Sequence, residues 1–163
     1  MPDSHPPQFP IADALLGAWA TNNRINSYLI ENVPDEAWRA KPPGGKGRDI
    51  ASMFGHMHNV RIMWIKSADK SAKLPAKLEG DDYSKKDAVN ALAESERALD
   101  AILRRALSGD GRISGFKPDA ASFLAYLFAH DAHHRGQICM LARQVGHPIS
   151  KSAGFGLWEW GTR

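Results

Sequence analysis

The chain has 163 residues, 43% of them hydrophobic and 24% charged, with a formal net charge of +3. That length and balance suit one soluble globular domain with a sizeable core, and they exclude a low-complexity or disordered chain. The positive charge is spread through mixed-sign stretches such as residues 85–105 and is not gathered into a block, which argues against a nucleic-acid partner. The single cysteine, Cys139, excludes an intrachain disulfide. It points to a reducing cytoplasm, with Cys139 itself a small packed side chain.

Residues 1–10 are proline-rich, with neither a basic nor an apolar signal region, and read as a short flexible leader before a single domain over residues 11–163. No run approaches about eighteen uninterrupted apolar residues, so no membrane association is expected. The first long helix is predicted from Ile11 to about Glu31, with Ala14, Leu15, Trp19, Ile25 and Leu29 on its apolar face, and it stops before Val33-Pro34. A short helical turn follows near Asp35–Arg39, where proline and acids stand as a helix start favours them.

Lys41-Pro42-Pro43-Gly44-Gly45-Lys46-Gly47 is a cluster of helix breakers and must be loop. It lacks the Gly-Lys-Ser/Thr ending of a phosphate loop, and no strand precedes it. The second helix starts on Asp49 as cap and runs to about Ser67, with Ile50, Met53, Met57, Val60 and Trp64 inward. The third follows Ser84, whose spacing to Asp87 approximates a capping box, and carries Val89, Leu92, Leu99, Ile102 and Leu103 to Leu107. The fourth follows Pro118-Asp119 and ends at Gly146, with Pro148 beyond it.

No convincing strand appears, so the fold class is all-α, a helical bundle. Its links at residues 32–48 and 69–84 are long for a simple up-down arrangement, and such links permit parallel neighbours and crossovers. The tail, Phe155–Gly161, is too aromatic for a free end and is expected to pack onto the bundle or onto a partner subunit.

The most informative stretch is His130-Asp131-Ala132-His133-His134-Arg135-Gly136-Gln137 within the fourth helix. At about 100° per residue, His130 and His134 project from nearly one face, one turn apart, in an inward row with Phe123, Leu127, Gln137 and Leu141. The second helix adds His56 on its apolar side, while His58, about 200° further round, is expected to lean toward solvent or an edge. His56, His130 and His134 thus form a candidate metal set suited to Zn²⁺, Ni²⁺ or Fe²⁺, with an open coordination position of the kind catalytic sites keep.

A lone inward histidine is more commonly a hydrogen-bonded core residue, and it is the third imidazole that favours the metal. Around the set, Gln137 is placed to hydrogen-bond a ligand. Asp131 has two readings, an acceptor for a ligand imidazole N–H or, preferred, a solvent-facing side chain. Arg61 is a candidate for an anionic substrate, although a surface salt bridge is the commoner fate. His133 is expected at an edge, and Met53 and Met57 are candidates to wall an apolar pocket beside His56. No Gly-x-Ser-x-Gly, Cys-His or paired-carboxylate arrangement supports a protein-only nucleophile or a glycosidase.

The run Asp49–Trp64, the run His130–Gln137 and the tail Gly156–Gly161 resemble the DinB (damage-inducible), or DinB/YfiT-like, superfamily of metal-binding four-helix bundles. The resemblance implies an up-down-down-up bundle with long crossovers, frequent homodimers, and a divalent metal on His56, His130 and His134, with His58 a competing register for the first. It further implies a small-molecule substrate and, as in some relatives, a low-molecular-weight thiol cosubstrate in a transferase or detoxification reaction. The alternative is a non-enzymatic metal-binding stress-response or interaction protein.

Overall fold

A computed structural model describes residues 9–80 and 82–163, so most of the expected leader, including His5, lies outside the described residues. The elements in chain order are α1 (Ile11–Asn32), α2 (Asp35–Trp38), α3 (Ile50–Ala68), α4 (Lys85–Leu107), α5 (Ala120–Gln144) and α6 (Lys151–Gly156). The caps explain the boundaries. Asp49 accepts from Ser52 N–H at 2.7 Å, Asp119 accepts from Ser122 N–H at 2.7 Å, and Ser84 and Asp87 form a reciprocal capping box. Gly146 ends α5 at φ +86°, a left-handed conformation that glycine adopts without Cβ strain, and His147 N–H donates back to Ala142 C=O at 2.9 Å.

The four long helices pack with α4 against both α1 and α3, and with α5 closing the other side against α3 and α1. Two apolar clusters fill the bundle. One gathers Leu29 and Ile30, Phe54 and Met57, Ala88 and Leu92, and Ile138 and Leu141. The other gathers Leu16 and Trp19, Ile65, Leu99 and Leu103, and Phe123 and Leu127. α1 and α5 therefore run from the second cluster to the first, while α3 and α4 run from the first to the second and lie parallel.

Parallel neighbours need a link that returns the length of the bundle, and the described residues between α3 and α4 make that return along α3. Ala76 C=O meets His58 Nε2 at 2.8 Å, the Asn59 amide pairs with both N–H and C=O of Leu78, and Tyr83 Oη donates to Ala51 C=O at 2.6 Å. Gly55 permits this close approach, since a Cβ there would stand 2.5 Å from Tyr83 Oη.

Several sequence expectations need correction. On α1, Ala14 is exposed and Leu16 is buried instead. Met57 belongs to the first apolar cluster and Met53 packs against it, so neither walls an apolar pocket beside His56. The tail contains a helix, α6, capped by Ser150, that the aromatic composition did not reveal. It folds back through the Arg163 guanidinium, 3.8 Å from the Tyr28 ring centroid, and through Trp160 against Phe128, yet Phe155 and Trp158 remain 63% and 81% exposed. Among the described residues no helix is long and apolar enough to cross a membrane.

Candidate metal centre

The i, i+4 spacing on α5 stacks His130 and His134 one turn apart, and the first half of α3 brings His56 opposite them. One ligand nitrogen from each of the three lies within 4.8 Å of the others. Their ring centroids are 4.9 Å apart for His56–His134, 5.5 Å for His56–His130 and 4.6 Å for His130–His134. Ligand nitrogens around a tetrahedral ion with bonds of about 2.0–2.1 Å stand roughly 3.4 Å apart, so modest rotation of staggered side chains closes the set. Three imidazoles are a donor set that suits borderline divalent cations, and the residues fit such an ion.

The protonation states agree with that use, because an imidazole must be neutral to offer its lone pair. Burial lowers the His56 pKa from 6.5 to about 4, with Arg48, His134 and His130 adding to the shift. Burial also lowers that of His134, as do His130, His133 and Arg48, against an opposing hydrogen bond with Gln137. Gln137 Oε1 accepts from His134 Nδ1 at 2.8 Å, which leaves Nε2 of His134 as the free donor atom.

Asp131 does not face solvent. It is 1% exposed, and its Oδ2 accepts from Asn22 Nδ2 at 2.7 Å, Asn26 Nδ2 at 2.8 Å and Arg61 at 2.7 Å. Its Oδ1 faces His130 Nδ1 at 3.8 Å, beyond hydrogen-bonding distance. Arg61 is likewise buried. Its second nitrogen donates to Asn23 Oδ1 at 2.8 Å and Leu92 C=O at 3.1 Å, and the guanidinium sits 4.6 Å from the Trp19 ring centroid. With every one of these partners internal, Arg61 is neither a substrate contact nor a surface ion pair.

His58 is also corrected. It is fully buried, with Nε2 against Ala76 C=O at 2.8 Å and Nδ1 against Ser95 Oγ at 3.1 Å, so neither nitrogen is free for a metal. It fastens the crossover to α3. His133 is exposed at the edge of α5, its ring 5.1 Å from that of His134, and lies outside the three-residue set.

Sequence reasoning missed the polar layer itself: Asn22, Asn23 and Asn26 of α1, His58 and Arg61 of α3, Ser95 of α4 and Asp131 of α5, all buried between the two apolar clusters. A signal was present. Trp19, Asn22, Asn26 and Leu29 share one three-four spacing, as do Phe54, His58, Arg61 and Ile65, and as do Leu127, Asp131, His134 and Ile138. The centre of the buried face of α5 passes through Asp131, which leaves His130 and Gln137 nearer its edge, only half-buried.

A cleft of about 230 Å³ opens beside His56, lined also by Arg48, Ser52, Asn59, Glu79 and Tyr83. A larger surface depression, of about 1100 Å³, lies elsewhere, around residues 110–118, and holds none of the three histidines. No curated protein and no solved structure matches the chain. The model of the DinB family matches residues 4–156, nearly the whole chain, and its helices fold as an all-α bundle. The chain belongs to the DinB family.

Proposed function

We propose that this protein is a metal-dependent enzyme in which His56, His130 and His134 hold one divalent cation drawn from zinc, nickel or iron. The observation that carries the reading is the convergence of three ligand nitrogens from two helices within 4.8 Å, with no fourth side chain in the group among the described residues. A cation with an open coordination position supplies Lewis acidity, which lowers the pKa of a thiol or a water and turns it into a nucleophile at neutral pH. The protein's own residues set the stage for that chemistry. Gln137 fixes the tautomer of His134, Asp131 faces Nδ1 of His130, and the cleft beside His56 gives a small molecule access. The reaction class we favour is transfer of a low-molecular-weight thiol to an electrophile.

The test is elemental analysis of untagged protein purified without chelator, followed by a thiol-plus-electrophile screen of the loaded protein. About one equivalent of one of these metals and thiol-dependent turnover are expected. A protein that takes up no metal on reconstitution sinks the proposal, and one that binds metal but consumes no thiol removes the transferase assignment.

A second reading, a homodimeric interaction protein, draws on Phe155 and Trp158, which α6 and the residue after next hold out to solvent. Sedimentation of the full chain is expected to give a dimer that a Phe155→Ser, Trp158→Ser variant dissociates. A monomeric wild-type protein at tens of micromolar excludes it.

A further inference from the structure

We infer that the cleft beside His56 is an anion subsite, and that the substrate or cosubstrate of this protein carries a carboxylate bound by Arg48 while its other end reaches the metal. The inference rests on the metal-site reading above and adds the chemical class of the ligand. Ser52 and His56 stand one turn apart on α3, and Arg48, just before the cap Asp49, lines the same cleft. The other polar side chains there are committed. Asn59 is spent on both backbone groups of Leu78, and Tyr83 Oη on Ala51 C=O. Arg48 has no ion-pair partner among the described residues, and the Ser52 hydroxyl makes no hydrogen bond there.

The local field has the right sign for an anion. Lys41, Lys46 and Arg48 fall within eight residues that contain no acid, whereas Arg39 beside them is paired with Asp49 at 3.7 Å. Glu79, the one described acid on the cleft, is 68% exposed and pairs with Lys77 at 3.3 Å, so its effect is screened. His56 stands about 9 Å along the axis from Ile50, the first residue of α3, and Arg48 lies two residues before that start, a separation that an extended arginine side chain covers in large part. A compact molecule with a carboxylate a few bonds from its metal-binding atom bridges the remainder.

The experiment uses cobalt(II)-loaded full-length protein and follows its visible spectrum on titration with imidazole, acetate and succinate, in wild type and Arg48→Gln. Succinate is expected to bind wild type more tightly than acetate does. Arg48→Gln is expected to weaken succinate about tenfold, the loss of one charge-assisted contact, while acetate changes far less and neutral imidazole not at all. Ser52→Ala should weaken succinate by a smaller factor in the same direction. Succinate affinity that is unchanged in Arg48→Gln, or that falls only as much as acetate affinity, overturns the subsite while leaving the metal reading intact. Absence of a cobalt spectrum in wild type overturns the metal reading, and the subsite with it.

Discussion

Replacing Asp131 by alanine is expected to lower the thermal midpoint by about 10 °C. The reason is what remains. Arg61, 1% exposed, would keep its charge in the interior with no carboxylate, and Asn22 and Asn26 would lose their shared acceptor. Breaking a buried pair from one side costs about 3–5 kcal/mol, and each kcal/mol moves the midpoint of a domain this size by roughly 2–4 °C. An apolar double variant, Arg61→Met with Asp131→Leu, should recover part of the loss, because it removes the orphaned charge but not the orphaned amides.

The pH dependence has a definite sign. Burial by itself pushes the Asp131 carboxyl up, but Arg61 beside it and the hydrogen bonds to it prevail and hold the group well below the usual carboxylate range. A depressed folded-state value means that the contribution is whole above the ordinary value near 3.8 and is lost as pH falls through the depressed one. The gap in stability between wild type and Asp131→Asn, followed by urea unfolding, should be constant from pH 7 to 5 and narrow only below about pH 4. A midpoint for Asp131→Ala within 2 °C or so of wild type would falsify the account of the polar layer.

Replacing His134 by alanine is expected to abolish metal binding and the response to chelator together. Wild-type protein with metal in hundredfold to thousandfold excess over its dissociation constant gains about 2.7–4.1 kcal/mol from linkage, roughly 5–15 °C in midpoint, and loses it on adding chelator. His134→Ala should melt at one temperature with or without chelator, since two imidazoles from different helices hold an ion far less well than three. His58→Ala is the contrasting control. It should weaken the fold through the crossover it fastens, yet retain about one equivalent of metal. Equal metal content in His134→Ala and wild type excludes the three-histidine site.

Metal-free protein should lose stability as pH falls from 6.5 toward about 4, because the folded chain holds His56 neutral over that interval while the unfolded chain protonates it. His56→Gln should flatten part of that slope in urea titrations of the chelated protein.

Much of this architecture is legible before folding is considered. Asp49, Ser84 and Asp119 mark three helix starts because a side-chain oxygen satisfies backbone N–H groups left open there, and that bond is local in the chain. Gly146 marks an end for an equally local reason. The shared face of His130 and His134 follows from helical periodicity alone. His56 could be named as their companion because it lies on the apolar side of a helix that had to pack on something.

What the residues could not reveal one segment at a time is which polar side chains complete one another. Asp131, Arg61 and His58 each carry polarity that, taken singly, belongs in water. Burial becomes tolerable only when Asn22 and Asn26 of α1, Arg61 of α3 and Asp131 of α5 reach the same level of the bundle and satisfy each other. The same holds for His58, whose partners Ala76 and Ser95 lie 18 and 37 residues away. Local order depends on bonds within a few residues, which the sequence itself determines. The polar layer beside the histidines depends on compensation between distant segments, and only the tertiary structure brings those donors and acceptors within reach.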